Sequence, residues 1–232
     1  MIIKALTVER SAGTQDGYLE RIPAISALKR LDFDRPVTFF VGENGSGKST
    51  LLEAMAIAAG FNPEGGTLNY RFSTHDSHSD LHRSLHLIRT AQRPSWGLFL
   101  RAESFYNVAT AEEDYAEGRS LHLHDKSHGE SFLAMMFKHF RPGGLYFLDE
   151  PEAALSPQRQ LTLLTELNRC REENAQFFIA THSPILLALP EARILSFDGE
   201  IHPIEYTQTE SYQITDMFIN RREQILKRLL ED

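Results

Sequence analysis

The sequence has a single cysteine, no long apolar run and no excess of basic residues, and each absence excludes a class of protein. One cysteine, Cys170, cannot form a disulfide within the chain, which suits a reducing compartment, and its apolar surroundings predict a buried thiol. No apolar run approaches the roughly 20 residues that cross a bilayer. The first residues, MIIKALTVERSAG, do not resemble a secretory signal. We therefore expect a cytoplasmic protein without direct membrane insertion.

The charge balance is acidic, with 24 lysine and arginine residues against 32 aspartate and glutamate residues and a net charge of -8. This balance argues against a broad basic surface for nucleic acid, although a local basic patch stays open. Hydrophobic residues make up 41% of the chain, which is enough for an ordinary globular core. The length of 232 residues predicts a single domain over 1–232.

Apolar runs alternate with helical patterns, which predicts an α/β fold with a mainly parallel central sheet. Strands are expected at IIKALTVE, RPVTFFV, WGLFLRAESF, LYFLDE and AQFFIATH, and a helix at SFLAMMFKHF. A further helix is expected around Asp80 to Thr90. A hairpin and a helix should form the C-terminal part, about 192–232, and the helix from about Thr215 to Leu230 should turn five apolar residues inward: Phe218, Ile219, Ile225, Leu226 and Leu229.

The stretch GENGSGKST fits the phosphate-binding pattern G-x-x-x-x-G-K-[ST]. The strand VTFFV precedes it and a helical pattern follows, which is the context that a P-loop requires. Its glycines let backbone N–H groups turn toward phosphates, Lys48 adds a positive charge, and Ser49 offers a hydroxyl to Mg²⁺. We therefore predict that nine residues bind a nucleoside triphosphate: Gly42, Glu43, Asn44, Gly45, Ser46, Gly47, Lys48, Ser49 and Thr50.

The stretch LYFLDEPE describes a buried strand that delivers two acids at its carboxyl end, Asp149 and Glu150. Asp149 is predicted to hold Mg²⁺ together with Ser49. Glu150 is predicted to orient and polarise the attacking water. The alternative is a strand that ends in ordinary surface acids.

A third predicted strand, QFFIATH, ends at His182. Ligands of open α/β sheets lie at the carboxyl ends of strands, so the P-loop, the two acids and His182 should converge on one site. There His182 could contact the γ-phosphate or the attacking water as a third catalytic residue beside Lys48 and Glu150. A histidine that only caps or packs a helix is the alternative.

The P-loop, LYFLDEP and ATHSP, in that order, resemble the ABC-type ATPases. That family carries a signature loop, close to L-S-G-G-Q, between the P-loop and the LDEP strand. Here KSHGES occupies this place, with Ser127 lying 22 residues before Asp149. The serine and the second glycine, Gly129, are kept, whereas the other three positions of the family pattern are replaced.

The resemblance implies ATP and Mg²⁺ as ligands and a P-loop fold of ABC type. Such a fold has a mainly parallel core sheet flanked by helices, an antiparallel β subdomain and, here, a reduced helical region at about 104–141. It also implies that Ser127 and Gly129 contact the γ-phosphate of ATP bound to a second copy, in an ATP-dependent homodimer. Glu103 is the positional candidate for the metal-binding glutamine of the family. The alternative for the signature segment is a loop that only caps a helix.

Three features narrow the resemblance within the family. Only about twenty residues separate Ser104 from Ser127, too few for the helical subdomain by which transporter subunits dock on a membrane partner. THSPIL resembles the chromosome-maintenance and recombination-repair branch. The chain has neither the long heptad-patterned arms nor the nuclease module found in that branch. With HDSHSDLH and FLRAESF, the whole chain resembles small stand-alone bacterial ATPases of this branch.

Four histidines lie close together, and three of them are spaced four residues apart: His75, His78, His82 and His86. Histidines at this spacing on a helix can hold zinc. A solvated helix face is the alternative that we favour. Two interpretations also stay open for four arginines, which could form a local basic surface or an ordinary solvated face: Arg83, Arg89, Arg93 and Arg101.

Three functions remain open at this level. The first is a slow ATPase that acts as a dimerisation switch, with a protein partner that the sequence does not identify. The second is a nucleic-acid-associated ATPase in DNA repair or phage defence. The third is the motor subunit of a membrane transporter, which the short signature region argues against.

Overall fold

The structure is a computed structural model that describes residues 1–9, 17, 19–68, 80–94, 96–101 and 128–230. Within these ranges the strands are β1 (Ile3–Val8), β2 (Arg30–Asp32), β3 (Val37–Val41), β4 (Gly66–Thr67), β5 (Leu85–Arg89), β6 (Gly97–Arg101), β7 (Leu145–Asp149), β8 (Gln176–Ala180), β9 (Arg193–Ser196) and β10 (His202–Pro203). The α-helices are α1 (Pro23–Ser26), α2 (Lys48–Ala59), α3 (Leu81–Ser84), α4 (His128–His139), α5 (Pro157–Glu172), α6 (Pro184–Leu187), α7 (Glu210–Asn220) and α8 (Arg222–Leu230). Short 3-10 turns cover Leu19–Arg21, Pro151–Ala154 and Tyr206–Gln208.

Two sheets organise these elements. The larger has seven strands in the order β10-β9-β3-β8-β7-β6-β4, and its five central strands, β9, β3, β8, β7 and β6, run parallel. The smaller is antiparallel, in the order β2-β1-β5. The predicted α/β fold with a mainly parallel core sheet and an antiparallel β subdomain is therefore confirmed.

The central strands are apolar at nearly every position because both faces of the sheet are covered. Each residue of β3 (VTFFV), β7 (LYFLD) and β8 (QFFIA) is buried. Phe39 packs on one face against α4 and α5, whereas Phe40 packs on the other face with α2 and the smaller sheet. Cys170 of α5 is fully buried in the first of these clusters, and burial raises the pKa of its thiol to about 12. The prediction of a buried thiol is confirmed.

A buried glutamine at the start of β8 joins the two sheets. Gln176 Oε1 accepts hydrogen bonds from the backbone N–H groups of Ile2 and Ile3, each at 2.8 Å. Its Nε2 donates to the Ile3 carbonyl, also at 2.8 Å. An amide buried without partners would be costly, and here both ends of the side chain are satisfied. The smaller sheet is thereby fixed to the edge from which the parallel strands begin, opposite the edge where they end.

Two predictions about local structure are wrong. The expected helix around Asp80 to Thr90 is limited to α3, because the residues from Leu85 onward form β5 and pair with β1. The expected C-terminal helix is two helices, α7 and α8, and neither buries a residue. Phe218, Ile219 and Leu229 are exposed rather than turned inward. An amphipathic pattern indicates an apolar face without indicating what covers it.

Candidate nucleotide-binding site

The P-loop connects the end of β3 to the start of α2. Gly47, the residue before α2, has φ +102, a left-handed conformation that favours glycine. A Cβ at Gly47 would also come within 2.8 Å of Ile22 Cγ2, so the loop packs closely on its support. The outer residues Glu43, Asn44 and Gly45 are exposed. The loop thus packs against the protein near Gly47 and is exposed to solvent on its outer side, as phosphate binding by backbone N–H groups requires.

Lys48 lies folded under the loop. Its side chain is 5% exposed, and its Nζ donates hydrogen bonds to the carbonyls of Gly42 at 2.7 Å and of Glu43 at 2.8 Å. Burial lowers the pKa of Lys48 below the ordinary value of 10.5, and four carboxylates oppose that shift, those of Glu150, Asp198, Asp149 and Glu152. The ammonium is therefore positioned and surrounded by acids before any phosphate binds.

Ser49 and Asp149 meet as predicted. The Ser49 hydroxyl donates to Asp149 Oδ1 at 2.9 Å, which links the first turn of α2 to the end of β7. Asp149 is 7% exposed. A hydroxyl and a carboxylate are hard oxygen ligands of the kind that Mg²⁺ prefers, with the remaining positions filled by phosphates and water. These two residues fit a magnesium ion.

Glu150 follows Asp149 with a left-handed backbone, φ 49 and ψ 51. This conformation is uncommon for a residue with a side chain and is held at functional sites by surrounding contacts. Here the Glu150 N–H donates to the Ala180 carbonyl at 2.9 Å, and its carbonyl accepts from Ala153 at 3.0 Å. The strained turn places Glu150 where β7 and β8 end side by side.

His182 lies two residues beyond the end of β8, at the same edge, and is exposed. Its backbone N–H donates to Glu152 Oε1 at 2.6 Å. Within the described residues the imidazole ring makes no hydrogen bond. The structure therefore brings the P-loop, Asp149, Glu150 and His182 to one edge and leaves the ring of His182 available to a ligand.

Two residues at this edge were not assigned to the site from the sequence. Asp198 follows β9, and its Oδ1 accepts the backbone N–H of Glu43 at 2.9 Å, so it anchors the first turn of the P-loop. Arg101 ends β6, beside Asp149, and was considered for a basic surface; its Nη1 binds Glu53 Oε2 at 2.8 Å, and its Nε lies 3.6 Å from Asp149 Oδ2. Asp198 lies just after the end of β9, and Arg101 is the last residue of β6. Their position at the carboxyl ends of parallel strands is the signal in the sequence that could have assigned them to the site.

The C-terminal part of the chain closes one side of the site. A polar cavity of about 350 Å³ lies beside the P-loop, with Gly42, His182 and Asp198 on one side. Its other side includes the 3-10 turn Tyr206–Gln208 and the first turn of α7. The P-loop edge and the start of α7 therefore line the same cavity.

The remaining predicted site residues are less clearly placed. Glu103 and Ser127 lie outside the described residues. Gly129 is buried near the start of α4, where a Cβ would come within 2.6 Å of Arg159 Nη1 and 2.8 Å of the Ala154 carbonyl. Close packing within the chain is thus one reason for a glycine there. A contact of Gly129 with the nucleotide of a second copy stays a prediction.

The histidine cluster is only partly described. His75 and His78 lie outside the described residues, while His82 belongs to α3 and His86 to β5, so these two do not share a helix face. In the described ranges no group of three or more histidine, cysteine, aspartate or glutamate residues is placed to hold a metal ion. None of the helices in those ranges is both long and apolar enough to span a membrane.

Comparisons with known proteins agree with this geometry. A family model described as "AAA domain, putative AbiEii toxin, Type IV TA system" matches residues 130–188, and another described as "AAA domain" matches residues 20–117. The SMC head domain from Thermotoga maritima has 15% identity and a TM-score of 0.50, with 88% of this chain and 100% of that chain covered. No curated protein matches the chain.

A second similar structure is named "An inward-facing conformation of a putative metal-chelate type ABC transporter". It has 17% identity and a TM-score of 0.47, with 93% of this chain and 89% of that chain covered. The SMC head and the two family models support the P-loop ATPase fold. The matches support an ATP-binding ATPase.

Proposed function

We propose that the chain, an ABC-type P-loop ATPase of the SMC-like branch by its resemblance, is an ATP-hydrolysing dimerisation switch. In this proposal two copies close around two ATP molecules with Mg²⁺, and hydrolysis reopens them. ATP drives closure because its γ-phosphate adds contacts that exist only in the closed state. A protein partner that responds to this change is part of the proposal.

One observation carries this proposal: the chemistry-bearing residues share one edge, and that edge is open. Glu43, Asn44, Gly45 and His182 are all exposed. Hydrolysis requires a site in which the attacking water is oriented and bulk water is excluded. An open edge that already holds its charged groups in place fits closure by a second copy.

Each residue has a defined role in the proposed hydrolysis. Lys48 binds the β- and γ-phosphates, and Ser49 and Asp149 hold Mg²⁺, which neutralises charge on the phosphates. Glu150 orients the attacking water and accepts its proton. His182 contacts the γ-phosphate, which makes the edge sensitive to whether ATP or ADP is bound. Ser127 and Gly129 of the second copy complete the site.

Glu150→Gln tests the switch because it removes the base and keeps the shape of the side chain. The variant should bind ATP-Mg²⁺ without hydrolysing it and, at a concentration where the nucleotide-free chain is monomeric, accumulate as a dimer in light scattering. Glu172→Gln, the same change on an exposed position of α5, is the matched control. A Glu150→Gln protein that stays monomeric at saturating ATP-Mg²⁺ would show that the sandwich model is wrong.

Two experiments separate this switch from its alternatives, a transporter motor and a nucleic-acid-dependent ATPase. Recovery of an integral membrane protein with the chain would favour a transporter motor. Stimulation of ATP hydrolysis by DNA or RNA ends would favour a role in repair or phage defence. The acidic chain should then bind nucleic acid weakly and with a steep salt dependence.

A toxin role is a second candidate, favoured by one observation. The family model that matches Asp149, Glu150 and His182 is the one whose description names a toxin of a type IV system. Expression of the chain alone should then arrest growth, and Lys48→Ala should relieve the arrest. Equal growth of cells with and without the chain would remove this candidate.

A further inference from the structure

No residue of the two C-terminal helices is fully buried, although Ile225 and Leu226 are half-buried. In α7, Ile214, Met217 and Ile219 are 52%, 45% and 70% exposed, and in α8, Leu229 and Leu230 are 69% and 76% exposed. Scattered exposed apolar residues are ordinary, but here two successive helices both present large exposed apolar side chains. Such a surface is typical of a contact with another macromolecule.

An apolar groove lies next to these helices. It has a volume of about 460 Å³ and runs between α5, α6 and α7. Most of its lining is apolar or aromatic, including Leu161, Leu164, Ile185 and Ile219. Asp216 is its one charged lining residue. The groove therefore suits an apolar helix face that carries a single positive charge.

Helix α8 has this combination. Arg222, Leu226 and Leu229 are spaced i, i+4 and i+7, so they share one helix face. Within the described residues Arg222 forms no ion pair. The charges of the two helices are also complementary. The charged residues of α7 are both acidic, Glu210 and Asp216, whereas most charged residues of α8 are basic.

The groove cannot be filled by α8 of the same chain. Only Arg221 separates α7 from α8. Two helices that pack side by side in antiparallel fashion need a connection of about two to five residues. Because α7 is itself a wall of the groove, α8 would have to fold back along α7 to enter it, and one residue is too short for that turn. The α8 helix that enters the groove must therefore come from a second copy.

We propose that two copies exchange their C-terminal helices, so that α8 of each lies in the α5–α6–α7 groove of the other. Leu226 and Leu229 fill the apolar part of the groove, and Arg222 pairs with Asp216 of the second copy. The arrangement is a two-fold symmetric interface, so every contact occurs twice. It goes beyond the proposed ATP switch because it involves no nucleotide.

The first test uses nucleotide-free protein, so its failure is distinguishable from failure of the ATP switch. Light scattering over a concentration series should show a dimer of the wild-type chain. Leu226→Ser with Leu229→Ser should raise the dissociation constant by at least about 100-fold, because each lost leucine contact occurs twice. Gln224→Ser with Arg228→Ser changes the opposite face of α8 and should leave the dissociation constant of the dimer unchanged.

Two outcomes of this test would overturn the proposal. One is a wild-type chain that stays monomeric at the highest attainable concentration without nucleotide. The other is a dimer that both double variants leave equally stable. Circular dichroism of each variant checks that the helices still form.

A charge exchange tests the orientation of α8 in the groove. Arg222→Asp and Asp216→Arg should each weaken the dimer by about tenfold, because like charges then face each other. The two changes together should restore the dimer, whereas Arg228→Asp on the opposite face should have little effect. A combined variant as weak as the single ones would contradict the predicted pair.

A disulfide tests the contact directly. Leu161→Cys with Leu226→Cys should give a disulfide-linked dimer on mild oxidation, seen on a non-reducing denaturing gel. Leu161→Cys with Arg228→Cys is the matched control. Cys170 is fully buried and does not compete. Equal cross-linking of the two pairs would overturn the exchange.

Discussion

The P-loop edge and the C-terminal helices differ in how their functional side chains are held. At the edge, polar groups from successive strands hold one another, as Lys48 with the loop carbonyls, Ser49 with Asp149, and Asp198 with Glu43. In α7 and α8, several large apolar side chains are exposed, and no residue of either helix is buried. The edge is preorganised by its own fold, whereas the C-terminal surface depends on what binds it.

This difference predicts how each region responds to substitution. Changes at the edge should alter ligand affinity and leave the fold intact, because the parallel strands fix the backbone there. Changes in the buried layer beneath should lower the free energy of unfolding. Changes on the C-terminal helices should affect association and leave the free energy of unfolding of the monomer almost unchanged.

Lys48→Ala should have the largest effect. In the proposed site Lys48 binds two phosphates, so its loss should weaken ATP-Mg²⁺ binding by about 1,000-fold, since hydrogen bonds to charged groups are the strongest of their kind. Calorimetric titration measures this. Lys29→Ala, at an exposed position, is the control. Binding within threefold of the wild-type protein would remove the P-loop assignment.

Leu167→Ala should lower the free energy of unfolding by about 2–4 kcal/mol, because it leaves a cavity in a close-packed layer. Leu167 is fully buried in α5 and packs in the cluster beneath the parallel strands. Urea unfolding gives the value. A loss below about 1 kcal/mol would mean that this layer is less tightly packed than the structure indicates.

Asp198→Ala should weaken ATP-Mg²⁺ binding by about tenfold, because the first turn of the P-loop loses its anchor at the Glu43 N–H group. Asp198→Asn keeps an acceptor and should retain much of the affinity. Glu200→Ala, exposed and two residues away, is the control. An Asp198→Ala protein with wild-type affinity would show that the P-loop keeps its shape without this contact.

Ile219→Ser should change the free energy of unfolding by no more than about 0.5 kcal/mol, as for other surface substitutions. The side chain is 70% exposed. Urea unfolding at a concentration where the chain is monomeric provides the measurement. A loss above about 2 kcal/mol would show that α7 packs on its own chain, and the contrast between the two regions would fail.

The sequence identified the elements whose chemistry is local. VTFFV, LYFLD and QFFIA are largely apolar runs, and each is followed closely by residues to which we assign binding or catalysis. Because parallel strands all end at one edge, their convergence could be predicted without coordinates. The hydrogen bond between Ser49 and Asp149 agrees with that reasoning, and their binding of Mg²⁺ stays a prediction.

Features that depend on which elements become neighbours could not be predicted in the same way. Asp198 reaches the P-loop because β9 pairs with β3, and Arg101 reaches Asp149 because β6 pairs with β7. Strand order is not encoded in any local pattern. Likewise, the spacing of His78, His82 and His86 suits a helix, but pairing of β5 with β1 overrides that local preference.

The most direct test of the central claim measures whether ATP brings two copies together. The Glu150→Gln variant should be studied with Leu226→Ser and Leu229→Ser also present, so that association through α8 is removed. We expect a monomer without nucleotide and a dimer with saturating ATP-Mg²⁺, and addition of Lys48→Ala should abolish the dimer. A monomer in both conditions, with ATP binding shown by calorimetry, would contradict the account.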